Sequence, residues 1–127
     1  LHHYFRVSFY CYSGMIPLLL ISEFVCLRKQ PLSSLVKERI AAYPSSSENN
    51  NKIADPKASI ARVFSFYQEQ TQVIDKTDGI SMEFGNWRFN LRSSNTEPVV
   101  RLNVESKGDV TLMQEKTEQI LALLLAE

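Results

Sequence analysis

Residues 72–104 read QVIDKTDGISMEFGNWRFNLRSSNTEPVVRLNV. Apolar residues alternate with polar ones along this stretch, and a period of two indicates strands with one buried face. Asp78-Gly79 is a preferred two-residue hairpin turn, and Gly85-Asn86 marks a second reversal of the chain. The stretch predicts an antiparallel meander of three or four strands, whose inward residues are Ile80, Met82, Phe84, Trp87, Phe89, Leu91, Val100, Leu102 and Val104.

Two amphipathic helices flank the predicted meander. Asp55-Pro56 is a strong helix start, with an N-cap carboxylate followed by proline at the first helical position, and Gly108-Asp109 opens the second helix. Their apolar residues recur at helical spacing: Ile60, Val63, Phe64 and Tyr67, then Val110, Met113, Thr117, Ile120, Leu121 and Leu124. Both stripes need an apolar surface, so the sequence predicts an α+β domain with an antiparallel sheet of about four strands and two helices on one face.

The first third of the chain is predicted to be helical. One helix is expected over residues 13–27 and a second over residues 31–44, which two prolines bound. The apolar run 15–27 is shorter than the roughly 20 residues that a bilayer span needs, so it predicts a buried helix. Cys11 and Cys26 lie in apolar surroundings without metal-ligand spacing, which predicts two reduced core thiols.

The polar segment 45–51, SSSENNN, separates these helices from the rest of the chain. Its residues break helices and favour loops. The segment predicts either a mobile linker or an exposed edge strand with its loop.

Composition narrows the classes of function. The chain has 127 residues, which suits one domain, or one small domain with a fragment of another. Its 14 basic and 14 acidic residues give a net charge of +0. Nucleic acid and anionic membranes normally require a basic surface, so neither is an expected partner. Any anion site must therefore be local.

The polar segment RSSNTEP follows the third run of the meander and concentrates the polar chemistry of the chain. The planar guanidinium of Arg92 matches two phosphate oxygens, and the hydroxyls of Ser94 and Thr96 can donate hydrogen bonds. Asn95 tolerates the left-handed backbone that turns successive N–H groups inward as an anion-binding nest. These residues suit a phosphate cradle; the alternative is a polar hairpin loop in which Arg92 pairs with Glu97.

Residues 92–101, RSSNTEPVVR, resemble the phosphate-binding loop in the last domain of the α-D-phosphohexomutases, whose usual pattern is R-x-S-N/G-T-x-P. Asn95 favours the phosphomannomutase/phosphoglucomutase branch, bacterial phosphomannomutases in particular, because phosphoglucosamine mutases typically have glycine there. Residues 75–80 look like the family's hairpin upstream of that loop. Residues 2–5 look like the sequence just after its sugar-recognition loop, so the resemblance covers nearly the whole chain.

The resemblance implies a set of residues that bind the substrate phosphate remote from the reacting oxygen: Arg92, Ser94, Asn95 and Thr96. Glu97 and Arg101 are expected to pair and brace the loop. Residues 1–42 would be the mainly helical tail of the third family domain, and residues 43–127 the C-terminal phosphate-binding domain, with a TATA-binding-protein-like fold. The helices of the first part are expected to pack against the second part or to self-associate.

The complete protein implied by the resemblance is a cytoplasmic intramolecular phosphotransferase. Such an enzyme interconverts mannose 6-phosphate and mannose 1-phosphate through a phosphoserine and a bisphosphate intermediate, with Mg²⁺, and feeds GDP-mannose biosynthesis. The chain begins at Leu1 rather than methionine, without a signal segment, which predicts a piece of a longer protein.

This chain contains neither the family's serine segment nor its aspartate-rich magnesium loop. It is therefore expected to have no catalytic residue, metal ligand or cofactor of its own, to be inactive alone, and to contribute phosphate recognition. Its expected partners are sugar phosphates (mannose or glucose 1- or 6-phosphate) and the missing N-terminal domains. The alternative is a stand-alone, non-catalytic sugar-phosphate-binding or assembly module.

Overall fold

The chain divides into two compact units in the computed structural model, which describes residues 4–94 and 96–126. The first unit extends to Glu38, and the second begins at Arg39. The boundary between family domains after residue 42 stays a prediction.

The first unit is helical. A short 3-10 helix at Arg6–Ser8 precedes α1 (Met15–Arg28), and α2 (Leu32–Ala42) crosses from the first unit into the second. At the start of α1, the hydroxyl of Ser13 accepts a hydrogen bond of 3.3 Å from the N–H of Met15. Both helices predicted for the first third of the chain are confirmed.

The exposure of α1 contradicts the buried helix predicted for its apolar run. No residue of α1 is buried, and seven of its apolar residues are 45–74% exposed: Met15, Leu18, Leu19, Leu20, Ile21, Phe24 and Leu27. Cys11 and Cys26 are free and exposed, so the core location predicted for them is also wrong. Apolar residues lie all round α1, and such a helix is buried only where other elements surround it. No helix in residues 4–94 and 96–126 is long and apolar enough to cross a membrane.

The second unit is built on a five-stranded antiparallel sheet of order β1-β5-β4-β3-β2. The strands are β1 (Asn49–Lys52), β2 (Val73–Asp75), β3 (Ile80–Glu83), β4 (Trp87–Ser93) and β5 (Val99–Ser106). β1 is an edge strand that pairs with β5. The edge-strand alternative for the polar segment 45–51 is therefore confirmed, and the linker alternative is wrong.

One face of the sheet carries the core. Leu91 lies opposite Leu102 and Phe89 lies opposite Val104, and all four side chains are buried. Every second residue of a strand points to the same face. The alternation predicted for β4 and β5 is therefore confirmed.

Two capped helices cover this face: α3 (Pro56–Tyr67) and α4 (Val110–Leu125). The carboxylates of Asp55 and Asp109 cap them, each accepting from the backbone N–H three residues later, at 3.0 and 2.9 Å. Side-chain oxygens at this position satisfy N–H groups that have no partner within the helix. Both helix starts predicted from the sequence are confirmed.

The apolar stripes of these helices pack against the sheet, and their buried members include Val63, Tyr67, Met113, Ile120 and Leu124. Val110 is 53% exposed, which contradicts its predicted place in the stripe. It is the first residue of α4, where the chain arrives from the exposed turn at Gly108, so helical spacing alone misassigns it. The α+β class with two helices on one face of the sheet is confirmed, and β1 adds a fifth strand.

Tyr67 lies at the centre of the aromatic part of the core. Its ring centroid is 5.5 or 5.6 Å from those of Phe84, Trp87 and Phe89. Its buried hydroxyl has no hydrogen-bond partner among the described residues. Burial, with a smaller contribution from the negative charge of Glu115, raises the pKa of Tyr67 above its ordinary value.

We expect Tyr67→Phe to stabilise the second unit by about 1 kcal/mol, because phenylalanine keeps the ring contacts and removes an unsatisfied buried hydroxyl. Urea unfolding at neutral pH measures the difference in free energy of unfolding. Tyr43→Phe, at a residue that is 44% exposed, is the matched control and should leave stability unchanged. A loss of stability confined to Tyr67→Phe would show that the hydroxyl does stabilise the fold.

Candidate anion-binding site

Two arginines lie side by side on the outer face of the sheet. Arg92 of β4 is directly opposite Arg101 of β5, and the adjacent Leu91 and Leu102 point the other way, into the core. The arginine side chains are 34% and 40% exposed. Like charges directly opposite each other in an antiparallel pair are destabilising, so this pair needs carboxylates nearby.

Two carboxylates from outside the loop neutralise the arginine pair. Oε2 of Glu48 lies 3.2 Å from Nη2 of Arg92, and Oε1 of Glu48 lies 3.5 Å from Nη1 of Arg101. Oδ2 of Asp78 lies 3.3 Å from Nη1 of Arg92. These four side chains, hereafter the arginine–carboxylate cluster, have no net formal charge.

The cluster contradicts both ion pairs that the sequence predicted around Glu97. Arg92 pairs with Glu48 and Asp78 rather than with Glu97, and Arg101 pairs with Glu48. The reason is the pairing of β1 with β5, which brings Glu48 beside both arginines although it lies 44 residues from Arg92 in sequence. The Arg92–Glu97 pair of the hairpin-loop alternative is therefore wrong, and the phosphate-cradle alternative stays a prediction.

Arg92 keeps hydrogen-bond donors for a further anion. A guanidinium has five N–H donors, and the described contacts of Arg92 supply one acceptor at Nη1 and one at Nη2. The side chain is partly open to solvent. An anion that arrives from solvent can therefore reach donors that the two carboxylates leave free.

The hydroxyls of Ser94 and Thr96 lie together beyond the end of β4. Their oxygens are 3.3 Å apart and share a hydrogen bond, and the N–H of Thr96 also donates to Oγ of Ser94 at 3.3 Å. The N–H of Ser94 donates to the carbonyl of Val99 at 2.8 Å, which closes the base of the loop. Asn95 lies outside the described residues, as do residues 1–3. The phosphate-binding role of this loop stays a prediction.

The turn between β2 and β3 differs from the two-residue hairpin predicted at Asp78-Gly79. Asp75 pairs with Ser81, so a longer loop lies between the strands. The carboxylate of Asp75 accepts hydrogen bonds from the hydroxyl and the N–H of Thr77, at 2.6 and 2.8 Å, and this side-chain turn replaces the tight hairpin. These two hydrogen bonds lower the pKa of the Asp75 carboxyl, and the bond from the Thr77 hydroxyl makes the larger contribution.

Gly79 lets this turn lie against Arg92. Its φ is +75°, and a Cβ built there would lie 2.7 Å from Cβ and 2.9 Å from Cα of Arg92. Asn90 of β4 stabilises the same turn. Its Nδ2 donates hydrogen bonds to the carbonyl of Asp78 at 3.0 Å and to Oγ of Ser81 at 2.9 Å. Glycine thus permits the close approach that brings the Asp78 carboxylate to Arg92.

Sequence reasoning missed three side chains that shape the site: Glu48, Asp78 and Asn90. Glu48 is the single acidic residue of the polar segment 45–51, and this is the one signal that the sequence offers for it. Asp78 was assigned only to a turn. The role of Glu48 depends on the pairing of β1 with β5, which are far apart in sequence. Asp78 and Asn90 are brought together by the pairing of the consecutive strands β3 and β4.

Residues 38–122 match the family described as phosphoglucomutase/phosphomannomutase, C-terminal domain. The chain therefore belongs to the phosphoglucomutase/phosphomannomutase family.

Curated relatives match almost all of this chain. A phosphomannomutase of Salmonella typhimurium is 60% identical over 123 residues, and one of Escherichia coli K12 is 57% identical over 123 residues. A protein of Xanthomonas campestris named phosphohexose mutases is 53% identical over 123 residues. Each match covers 97% of this chain, but the chain spans only 27% of the length of the first two relatives and 28% of the third.

A solved structure supports the fold. The X-ray structure of a phosphoglucomutase/phosphomannomutase family protein from Burkholderia thailandensis matches with a TM-score of 0.50 at 21% sequence identity. The match covers 72% of this chain and 20% of that one.

We expect Gly79→Ala to destabilise the second unit more than Gly108→Ala. Both glycines have positive φ, 75° and 67°, where alanine costs about 1 kcal/mol or more. Gly79→Ala adds clashes with the carbonyl oxygen of Leu91 and with Arg92, whereas nothing lies within 4 Å of a Cβ at Gly108. Overpacking of this kind costs a further ~1–3 kcal/mol.

Urea unfolding of both variants measures this difference, and NMR of the Arg92 side chain reports whether the turn has shifted. Equal losses of stability in the two variants would show that the turn moves away from Arg92 without lowering the free energy of unfolding.

Proposed function

We propose that this chain is the C-terminal, substrate-phosphate-binding portion of a phosphomannomutase. The observation that carries the proposal is Arg92, which keeps free guanidinium donors at the head of a loop whose Ser94 and Thr96 hydroxyls lie 3.3 Å apart. The relatives that are 57% and 60% identical across 97% of this chain are named phosphomannomutases, which supports the same reading.

The proposed ligand is the phosphate group of a sugar phosphate, either mannose or glucose 1- or 6-phosphate. Guanidinium N–H groups bind two phosphate oxygens in parallel, and hydroxyls can donate to the remaining oxygen. The proposed phosphate ligands in this chain are Arg92, Ser94, Asn95 and Thr96. A single arginine with neutral donors holds the phosphate reversibly, which suits a substrate that must reorient and leave.

The complete protein is proposed to interconvert mannose 6-phosphate and mannose 1-phosphate by phosphoryl transfer. Such a transfer needs a positioned reactive group and a metal that neutralises developing charge. Among the described residues, no group of three or more His, Cys, Asp or Glu side chains could hold a metal ion. We propose that the phosphoserine and Mg²⁺ belong to a part of the enzyme outside this chain, and that the enzyme is cytoplasmic and supplies GDP-mannose synthesis.

We expect the purified chain to have no mutase activity, because phosphate recognition alone supplies neither the reactive serine nor the metal. Conversion of mannose 1-phosphate to mannose 6-phosphate, followed by ³¹P NMR, measures the activity. Arg92→Gln is the control for a contaminating enzyme, whose activity would be equal in both preparations. Activity that disappears in Arg92→Gln would contradict the proposal that the chain is inactive.

We expect Arg92→Gln to weaken mannose 1-phosphate binding by at least about tenfold, because a hydrogen bond to a charged group contributes ~1.5–3 kcal/mol. An amide NMR titration of the chain measures the dissociation constant and locates the shifts at the loop. Arg88→Gln is the matched control: it removes the same charge from the same face of β4, where Arg88 pairs with Glu105 at 2.7 Å. Equal weakening by both changes would overturn the proposed site.

The second candidate is a stand-alone, non-catalytic module for sugar-phosphate binding or assembly. The observation that favours it is that the second unit has its own core and contains the arginine–carboxylate cluster. Intact mass of the natural protein separates the two candidates, since a mass of 14.6 kDa supports the module and a much larger mass supports the mutase.

A further inference from the structure

Glu48 is the one carboxylate among the described residues that contacts both arginines of the cluster. Its two oxygens divide between them, Oε2 with Arg92 and Oε1 with Arg101. A phosphate that bound at this place would offer its oxygens to the same guanidinium groups. The Glu48 carboxylate therefore lies where the positive charges would also attract a phosphate.

The backbone around Glu48 is held in place rather than free. Ser46 is anchored to β5, because its N–H donates to the carbonyl of Val104 at 2.9 Å and its Oγ accepts from the N–H of Val104 at 3.0 Å. On the other side of Glu48, Asn49 begins β1 opposite Leu102. Because the backbone is fixed on both sides, it keeps the carboxylate within reach of the arginines, and the side chain is partly open to solvent.

We propose that Glu48 is a tethered counter-anion, which neutralises Arg92 and Arg101 when no phosphate is bound and opposes the binding of phosphate. The inference rests on the proposed function, since it concerns the same phosphate site. It assigns Glu48 a role in setting the affinity of the loop, and no role in contacting the substrate.

The contact distances and the exposure of Glu48 indicate that it opposes the binding of phosphate rather than holding the arginines rigidly in place. The Glu48 contacts measure 3.2 and 3.5 Å, and its side chain is 48% exposed. Exposed ion pairs of this kind contribute little and are broken at small cost. A bound phosphate dianion would repel the Glu48 carboxylate at short range if Glu48 stayed in place. If Glu48 swung away, the repulsion would fall but its contacts with Arg92 and Arg101 would be lost. Either cost weakens the binding of phosphate.

The consequence is a phosphate affinity below what Arg92 would give, with the positive charge of Arg101 beside it, if no carboxylate neutralised the pair. With Glu48 ionised, the cluster has no net charge, and a phosphate gains little from long-range attraction. A substrate phosphate would then be recognised by directed hydrogen bonds and released readily, and the tethered carboxylate would return to the arginines when it leaves.

The test is the binding of inorganic phosphate to the 127-residue chain and its Glu48→Gln variant, followed by amide NMR at low ionic strength. Glutamine keeps the size of the side chain and removes the charge, so we expect phosphate to bind about threefold tighter in the variant, within the range expected for an exposed charge pair. Added salt should shrink the difference, because it screens charges at the surface.

Glu97→Gln is the matched control, since Glu97 is an exposed carboxylate of the same loop that has no ion pair with either arginine. It should leave phosphate affinity nearly unchanged. Unchanged amide shifts for the buried residues Val63 and Ile120 would show that Glu48→Gln leaves the fold intact.

Tighter binding in Glu48→Gln alone supports the inference, including the case in which only this variant binds measurably. Weaker or equal binding in Glu48→Gln, beside a wild-type chain that binds through Arg92, overturns the inference and leaves the proposed function standing. An equal gain in Glu97→Gln overturns it as well, by showing a general effect of charge. Absence of binding in every chain overturns the inference together with the proposed autonomous phosphate site.

Discussion

The antiparallel pairing of β4 with β5 is the constraint on which the rest of the second unit depends. Its register sets Leu91 opposite Leu102 and, one residue further, Arg92 opposite Arg101. Because successive side chains alternate between faces, the same register that builds the core also places two positive charges together on the outer face. A shift by one residue would exchange the two faces and destroy the core and the site at once.

The parts of the fold that the sequence predicts are those that local chemistry decides. Asp55 and Asp109 cap helices by accepting bonds from N–H groups three residues away, and Leu102 is inward because its strand alternates. Such signals need no knowledge of distant segments. The exposure of α1 and of Cys26 could not be foreseen, because an apolar run indicates a tendency to be buried and says nothing about whether another element covers it.

The site was predictable only in part for the same reason. Arg92, Ser94 and Thr96 are visible in one short polar segment, and their residue types indicate anion binding. Glu48 acquires its role through β1–β5 pairing, 44 residues away from Arg92 along the chain. The sequence predicts a tight hairpin at Gly79, but the hydrogen bonds that the Asp75 carboxylate accepts from Thr77 compete with the preference of Asp-Gly for a two-residue turn.

Positive and negative charges balance both in the whole chain and in the arginine–carboxylate cluster, and this balance affects how the proposed site would select an anion. The whole chain has a net charge of +0, and the cluster of Arg92, Arg101, Glu48 and Asp78 is also neutral. A neutral cluster does not attract anions through a long-range field. The proposed phosphate site would therefore discriminate by the direction of its donors, which are the planar guanidinium of Arg92 and the hydroxyls of Ser94 and Thr96. Directed donors distinguish a tetrahedral phosphate from other anions of the same charge, whereas a strongly positive patch would bind them all.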